Sequence, residues 1–515
     1  MNLLLIFAIT QLFEFIFCKP NVLFIIVDDL RPNLGCYDYG NAVTPNIDKL
    51  SSKSFLFYNA FCQQSLCAPS RNSFLTSRRP DSVQLYDLNS YYWREKSGNF
   101  TTLPQHFKEN GYYTYAIGKV FHPSLTSNSS DDMPYSWSKK PFHPKTEIYK
   151  NANVCVNSNG MLSKNLLCPV RVFDQPGGTL PDLESLRSVL DFLKFQKNYV
   201  KDRPYFLAVG FHKPHIPYKF PEQFLNFHPI FKVNLPSNRR RPYSLPNVAW
   251  NPWIDIRNRE DVKKLNISIP FGNMPDHYSR RIIQHYNAAV TYIDDLIGNI
   301  LKAVEGTDTI TVLTSDHGVS LGEHGEYSKY SNFDVSTRVP LIIHAPNLSS
   351  TGVIIEKLVE LVDLFPTLVD LTRVSPSLTT CSNEDKSEKL CTEGRSLVPI
   401  MEKALQKKPV DGKKAVFSQY PRPGDFPSVI PNSDEPEMAD IKIMGYSVRT
   451  KTHRFTQWVE FNITNFKPNW LKIYGTELYD HTIDLHENMN LIDRKELSSV
   501  AKNLRKILIS GWRYA

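Results

Sequence analysis

The chain of 515 residues lacks the features that would take it out of the globular class. Glycine and proline, 22 and 36 residues, are too few and too scattered for a collagenous or low-complexity polymer, and no internal repeat is present. An excess of one sign of charge is nearly absent. The 60 basic against 52 acidic residues leave +8, too little to argue for a nucleic-acid partner, though favourable to an acidic substrate. Beyond residue 18 no apolar run approaches the ~20 residues that span a bilayer, which argues against a stable membrane anchor. Cysteine is scarce, with eight residues, so the fold must rest on its apolar core.

What is present begins with an apolar run over residues 2–18, broken by Gln11 and Glu14 and followed by Lys19 and Pro20. It reads as a cleaved secretory signal (residues 1–18), with a signal anchor as the alternative. Asn-x-Ser/Thr triplets at Asn99, Asn128, Asn266, Asn347 and Asn462 agree with an N-glycosylated secretory protein. Removing Cys18 with the signal leaves seven cysteines in an oxidising compartment, an odd number. Cys155 with Cys168, and Cys381 with Cys391, lie close together in polar, loop-like surroundings and are read as local disulfides. Of Cys36, Cys62 and Cys67, the simplest pairing joins Cys62 to Cys67 across a short loop; one thiol then needs another fate.

Unalternating β-branched and aromatic runs at 21–27, 112–117, 205–209, 309–313 and 339–343 have the character of strands covered on both faces. Helix-like stretches at 44–54, 69–76, 103–110, 181–198 and 277–304 lie between them. The alternation predicts an α/β domain built on a large, doubly wound, mostly parallel sheet over residues 19–411. The polar stretch 372–411 is read as a surface excursion closing that domain. Strand-like runs at 413–419, 441–449, 453–460 and 476–479 and a helix over 494–509 then form a smaller α+β domain, residues 412–515, with an antiparallel sheet.

In such sheets ligands bind beyond the carboxyl ends of the strands. There the chain places Asp28-Asp29, Gly118-Lys119-Val120-Phe121-His122, His212-Lys213-Pro214-His215 and Ser315-Asp316-His317-Gly318. Asp28, Asp29, Asp316 and His317 from two neighbouring strand ends suit a hard cation such as calcium or magnesium; the plain alternative is that each Asp caps a helix. Cys67-Ala68-Pro69-Ser70-Arg71 opens a helix, where free N–H groups lower the pKa of a thiol and attract an anion, and Arg71 projects from the same side. The run Arg239-Arg240-Arg241 is read as a solvated loop face.

Cys-x-Pro-Ser-Arg resembles the signature of the type I, formylglycine-dependent sulfatases of the alkaline phosphatase-like superfamily. The resemblance extends to NVLFIIVDDLRPNLGCY, GKVFHP, FLAVGFHKPHIPY, NPWIDIRNREDV, TSDHGVSLGEHGEYSKYSNFD, SQYPRP and DIKIMGYSVRT. It implies that Cys67 is oxidised during secretion, by a formylglycine-generating enzyme, to an aldehyde. One hydroxyl of the hydrate attacks sulfur and the other expels sulfate, which also removes the odd cysteine and leaves the pairing of Cys36 and Cys62 open. It further implies that Asp28, Asp29, Asp316, His317 and the modified Cys67 ligate Ca2+, that Arg71 stabilises the hydrate, and that Lys119 and His122 bind it with the sulfate, His122 being a candidate base. His215 and Lys329 would face the substrate, with His212 behind them. The longer blocks are similar to family members that remove 2-O-sulfate from iduronate units of dermatan sulfate and heparan sulfate in the lysosome or after secretion. Val319 and Ser320 depart from the aromatic and small residues of that pattern, so another sulfated sugar is the alternative substrate. A two-metal phosphatase would want Ser or Thr in place of Cys67, and an inert glycan-binding relative would keep the fold with Cys67 unmodified.

Overall fold

The computed structural model describes residues 19–157, 159–200, 203–382 and 388–514, so the signal reading lies outside the described residues. Seven strands form the central sheet: β1 (Asn21–Val27), β2 (Phe55–Phe61), β3 (Tyr113–Gly118), β4 (Tyr205–Phe211), β5 (Thr309–Ser315), β6 (Arg338–His344) and β7 (Val353–Glu360). Their order is β7-β2-β6-β5-β1-β4-β3. All run the same way except β6, which pairs antiparallel with both β2 and β5.

The period of two along β1 divides the interior. Leu23, Ile25 and Val27 face a core closed by α2 (Pro181–Tyr199) and α3 (Asp276–Ala303), whereas Val22, Phe24 and Ile26 face a core closed by α1 (Cys67–Thr76) and the helices Leu103–Glu109 and Leu364–Thr372. The strand is buried on both faces because helices cover both, as its unalternating composition requires.

Five strands expected from the sequence are present to within about two residues at each end, and two, β2 and β7, were missed. β2 carries Tyr58 and Asn59, both partly exposed, in its middle, and β7 is an edge strand interrupted by Glu356 and Lys357 at a register break. Neither looks like a buried run when read linearly. The stretch 372–411 is also more than a surface excursion, since helix Val398–Leu405 buries Met401 in the second core.

The C-terminal sheet is antiparallel in the order β8-β9-β10-β11, with β8 (Ala415–Arg422), β9 (Ile443–Thr450), β10 (His453–Asn462) and β11 (Lys467–Asp480). One face holds α4 (Ser498–Ser510) through Leu504 and Leu508. The other presents Tyr420, Ile443, Trp458 and Tyr479 to Leu66, Trp250, Tyr330 and Phe333 of the first sheet's loops. This second sheet therefore backs the segments on either side of Cys67 and Lys329. Cys155–Cys168 and Cys381–Cys391 are disulfide-bonded, whereas Cys36, Cys62 and Cys67 are free thiols, so the short-loop pairing of Cys62 with Cys67 is not made. No helix among the described residues is long and apolar enough to cross a membrane.

Candidate active site

β1 and β5 pair in parallel with Val27 opposite Ser315, which brings Asp28 and Asp29 alongside Asp316 and His317. The Asp29 N–H donates to Asp316 Oδ1 at 3.2 Å, tying the two strand ends together. α1 begins at Cys67 itself, two residues earlier than expected, and all ten of its residues are buried. Pro69, three residues into the first turn, has no N–H to leave unsatisfied there.

Around Cys67 Sγ lie His317 Nε2 at 3.4 Å, Asp28 Oδ1 at 3.7 Å and Lys329 Nζ at 3.7 Å. Arg71, one turn along α1, donates from Nη2 to Asp28 Oδ1 and from Nε to Asp316 Oδ2, both at 2.9 Å, and from Nη1 to the Lys119 and Val120 carbonyls. Lys119 Nζ donates to Asp28 Oδ2 at 2.7 Å and Lys329 Nζ to Asp29 Oδ1 at 3.0 Å. Three buried carboxylates thus face three buried cations.

These charges set one another's protonation. Burial alone would raise the Asp28 carboxyl, but Lys119 and then Arg71 hold it well below the usual carboxylate range. Burial opposes charge on His317, yet Asp316 and Cys67 push it up to about 9, and its Nδ1 lies 2.9 Å from the Gly318 carbonyl. His122 and His215 go the other way. Burial, with Lys119 beside the first and Lys150 near the second, holds both imidazoles well below their ordinary value. His122 Nδ1 meets Ser124 Oγ at 2.9 Å, and His215 Nδ1 lies 2.6 Å from the Ile216 carbonyl, so the Nδ1 proton of His215 is committed there.

Ligand atoms of Asp28, Asp29, Cys67 and His215 lie within 4.8 Å of one another, as do those of Cys67, Asp316 and His317. That spread matches the distance across an ion whose ligands stand about 2.3–2.6 Å away. The three carboxylates suit a hard cation, His215 and His317 add a nitrogen to each group, and Cys67 is common to both.

The residues named from the sequence as metal-binding, catalytic or substrate-facing therefore converge here, with His212 behind them, its Nδ1 3.2 Å from Asp182 Oδ1. Val319 is buried in the first core. Arg241 of the basic run donates to the Leu245 carbonyl and stacks on Phe271, and so holds its loop. Sequence reasoning missed the supports of Lys329. Asn251 donates to the carbonyls of Tyr327 and Lys329, and Asp255 accepts from Ser328 and Tyr330. Both belong to the NPWIDIR block, but no residue type there announces a supporting role. Glu435, whose Oε1 lies 2.7 Å from the Tyr330 hydroxyl, was missed as well.

A family model described as sulfatase matches residues 20–374. Iduronate 2-sulfatase of Homo sapiens is 48% identical over 494 residues, covering 89% of this chain and 88% of its own. The chain belongs to the sulfatases. Iduronate 2-sulfatase of Mus musculus is 46% identical over 94% of this chain and 93% of its own. Among solved structures, phosphonate monoester hydrolase of Agrobacterium radiobacter superposes with a TM-score of 0.70 at 18% identity, covering 96% of both chains. A 2-O GAG sulfatase superposes at 0.64 and 20% identity, over 96% of this chain and 91% of its own. At those identities the likeness is one of fold. A sulfatase is a sulfuric ester hydrolase, and such enzymes work with a formylglycine and a metal ion, for which this cluster offers the cysteine and the acidic groups.

Proposed function

We propose that this sulfatase hydrolyses 2-O-sulfate esters of iduronate units in dermatan sulfate and heparan sulfate. The observation that carries the reading is identity of 46–48% to two iduronate 2-sulfatases across about nine-tenths of each chain. Asp28, Asp29, Asp316, His317 and position 67 would hold Ca2+, and a formylglycine made from Cys67 by a formylglycine-generating enzyme would supply the attacking hydroxyl next to it.

The chain's own groups then have separable tasks. Lys119 and Lys329, fixed on Asp28 and Asp29, present ammonium charge to sulfate oxygens as negative charge grows on them. Arg71 locks the two strand ends in register and adds a third positive charge beneath position 67. His122, kept neutral by burial and Lys119, is free to take a proton when sulfate is expelled. His215, held neutral with its Nδ1 proton given to the Ile216 carbonyl, leaves Nε2 to accept from a hydroxyl of the sugar. The five Asn-x-Ser/Thr asparagines are all exposed, which suits N-glycosylation on the way to the lysosome or the cell exterior.

Mass spectrometry of the peptide containing Cys67, from secreted protein, should show an aldehyde. An unmodified thiol in all material would sink the mechanism. Sulfate release should be faster from 2-sulfated iduronate than from 2-sulfated glucuronate or an aryl sulfate, and equal rates on the three would sink the substrate assignment.

A further inference from the structure

The Tyr330 hydroxyl lies 2.7 Å from two carboxyl oxygens at once, Asp255 Oδ2 and Glu435 Oε1. It carries a single proton, which can lie on only one of those two lines. The other contact needs a proton from the carboxyl itself. Asp255 is satisfied as an anion, because Ser328 Oγ donates to its Oδ2 at 2.8 Å and the Ile256 N–H to its Oδ1 at 2.6 Å. The Glu435 side chain has Tyr330 as its hydrogen-bond partner and no other among the described residues. The proton count therefore favours a neutral Glu435.

This chain of contacts surrounds Lys329. Ser328 and Tyr330, on either side of it, have φ of +67° and +70°, left-handed conformations that side-chain-bearing residues keep only where their surroundings impose them. Asp255 holds both side chains, while Asn251 and Arg422 donate to the carbonyls of Lys329 and Tyr330. The strained turn so pinned sets Lys329 Nζ 3.0 Å from Asp29 Oδ1 and 3.7 Å from Cys67 Sγ. Were Glu435 and Asp255 both ionised, two negative charges would converge on one hydroxyl and the turn would lose its outer contact. Burial, and then Asp255, hold the Glu435 carboxyl above its ordinary value, against the opposing charges of Lys329 and Lys150. Tyr420, whose ring lies 6.3 Å from that of Tyr330, and Asp434, next in the chain, complete the titratable groups around Glu435, and Tyr218 and Arg259 interact with Asp255.

We propose that Glu435 is a positioning residue that works as a neutral acid, giving its proton to Tyr330 while Tyr330 gives its own to Asp255, so that the closed turn holds the Lys329 ammonium beside position 67. Loss of the Glu435 proton as pH rises loosens the turn and weakens the hold on the sulfate ester. This rests on the role proposed above for Lys329.

The test compares wild type with full-length Glu435→Gln and Glu435→Leu between about pH 5 and pH 8, on 2-sulfated iduronate and on an aryl sulfate. The Gln amide donates to Tyr330 at every pH, so the ratio of kcat/KM, Glu435→Gln over wild type, should rise about threefold or more across that range. Glu435→Leu has no donor and should lie about tenfold below wild type at the acid end, the size of one hydrogen bond, with the gap closing as pH rises. In a Tyr330→Phe background the ratio should be flat. An infrared difference spectrum at the acid end, wild type minus Glu435→Gln, should show the C=O stretch of a protonated carboxyl, a readout that needs no turnover. A ratio that stays constant or falls with rising pH, or a spectrum with carboxylate bands alone, overturns the proposal. If wild type acts on the aryl sulfate but not on the sugar, the substrate reading falls, and the role of Glu435 is still decided on the aryl sulfate and by the spectrum.

Discussion

At Arg71 the guanidinium donates to Asp28 through Nη2 and to Asp316 through Nε, with no exposed surface. Two carboxylates from separate strands depend on this one fork, and removing one member of a buried charge cluster leaves the others uncompensated in a medium that solvates them poorly. Arg71→Met should therefore lower unfolding stability by about 3–5 kcal/mol in denaturant titration. Arg71→Lys keeps the charge but cannot span both carboxylates, and should recover most of that stability while sulfate release stays about a hundredfold down. A lysine variant with full activity would show that the charge matters and the fork does not. At this scale the sequence was most informative. Asp28, Asp29, Cys67, Arg71, Asp316 and His317 are recognisable because each follows a strand or opens a helix, and those positions are where an α/β sheet presents polar groups. Asn251 and Glu435, in loops, and Asp255, in the short helix Ile254–Arg257, are ordinary polar residues, and only their neighbours give them a role.

At the scale of elements, the edge pair β3 and β4 places Lys119 and His122 through two glycines. A Cβ on Gly210 would sit 1.9 Å from the Lys119 carbonyl oxygen, and one on Gly118, where φ is +76°, would sit 2.1 Å from the Gly210 carbonyl oxygen. The strands approach so closely there that no side chain fits between their backbones. Gly210→Ala should push the Lys119 backbone outward, costing about 1–3 kcal/mol as overpacking does and reducing sulfate release along with stability. Thermal melts and turnover measured together check this, and unchanged turnover at a lowered Tm would separate the strand contact from the site. Both glycines close runs that already read as strands in the sequence. The sequence gives no hint that β3 and β4 are neighbours, because residues 118 and 210 are brought together by β4 inserting between β1 and β3.

At the scale of the molecule, the seam between the two sheets carries acids that oppose alkaline conditions. Glu326 and Asp434 are buried, and burial pushes each up to about 8. Glu326 Oε1 accepts from Asn251 N–H and Asp434 Oδ2 from Ile254 N–H, while the second oxygen of each has no partner. Raised folded-state pKa values mean that the folded protein holds these protons more tightly than the unfolded chain. Their contribution is full below the ordinary carboxylate range and is lost as pH rises toward and through 8. The carboxyls held low by cations, Asp28 among them, lose their contribution only in strong acid, so they do not oppose the trend between pH 5 and 8. His122 and His215, held below their ordinary value, lose stability toward acid and pull the other way, so the contribution is read as a difference: the Tm of wild type minus that of Glu326→Gln should fall between pH 5.5 and pH 8.5. A difference that stays constant or rises over that range would refute the assignment.

The sequence by itself determined the α/β class, the local disulfides Cys155–Cys168 and Cys381–Cys391, and the family, because these depend on runs, spacings and short blocks that read linearly. Only the tertiary structure decided which strands lie side by side, that β6 runs against the rest, and that β2 and β7 complete the sheet. It alone placed Lys329 on Asp29 and backed that loop with the second sheet. The physical reason is separation. A buried ion pair across 300 residues is stable only where strands and loops from distant parts of the chain exclude water from the same small volume, and no local pattern records that meeting.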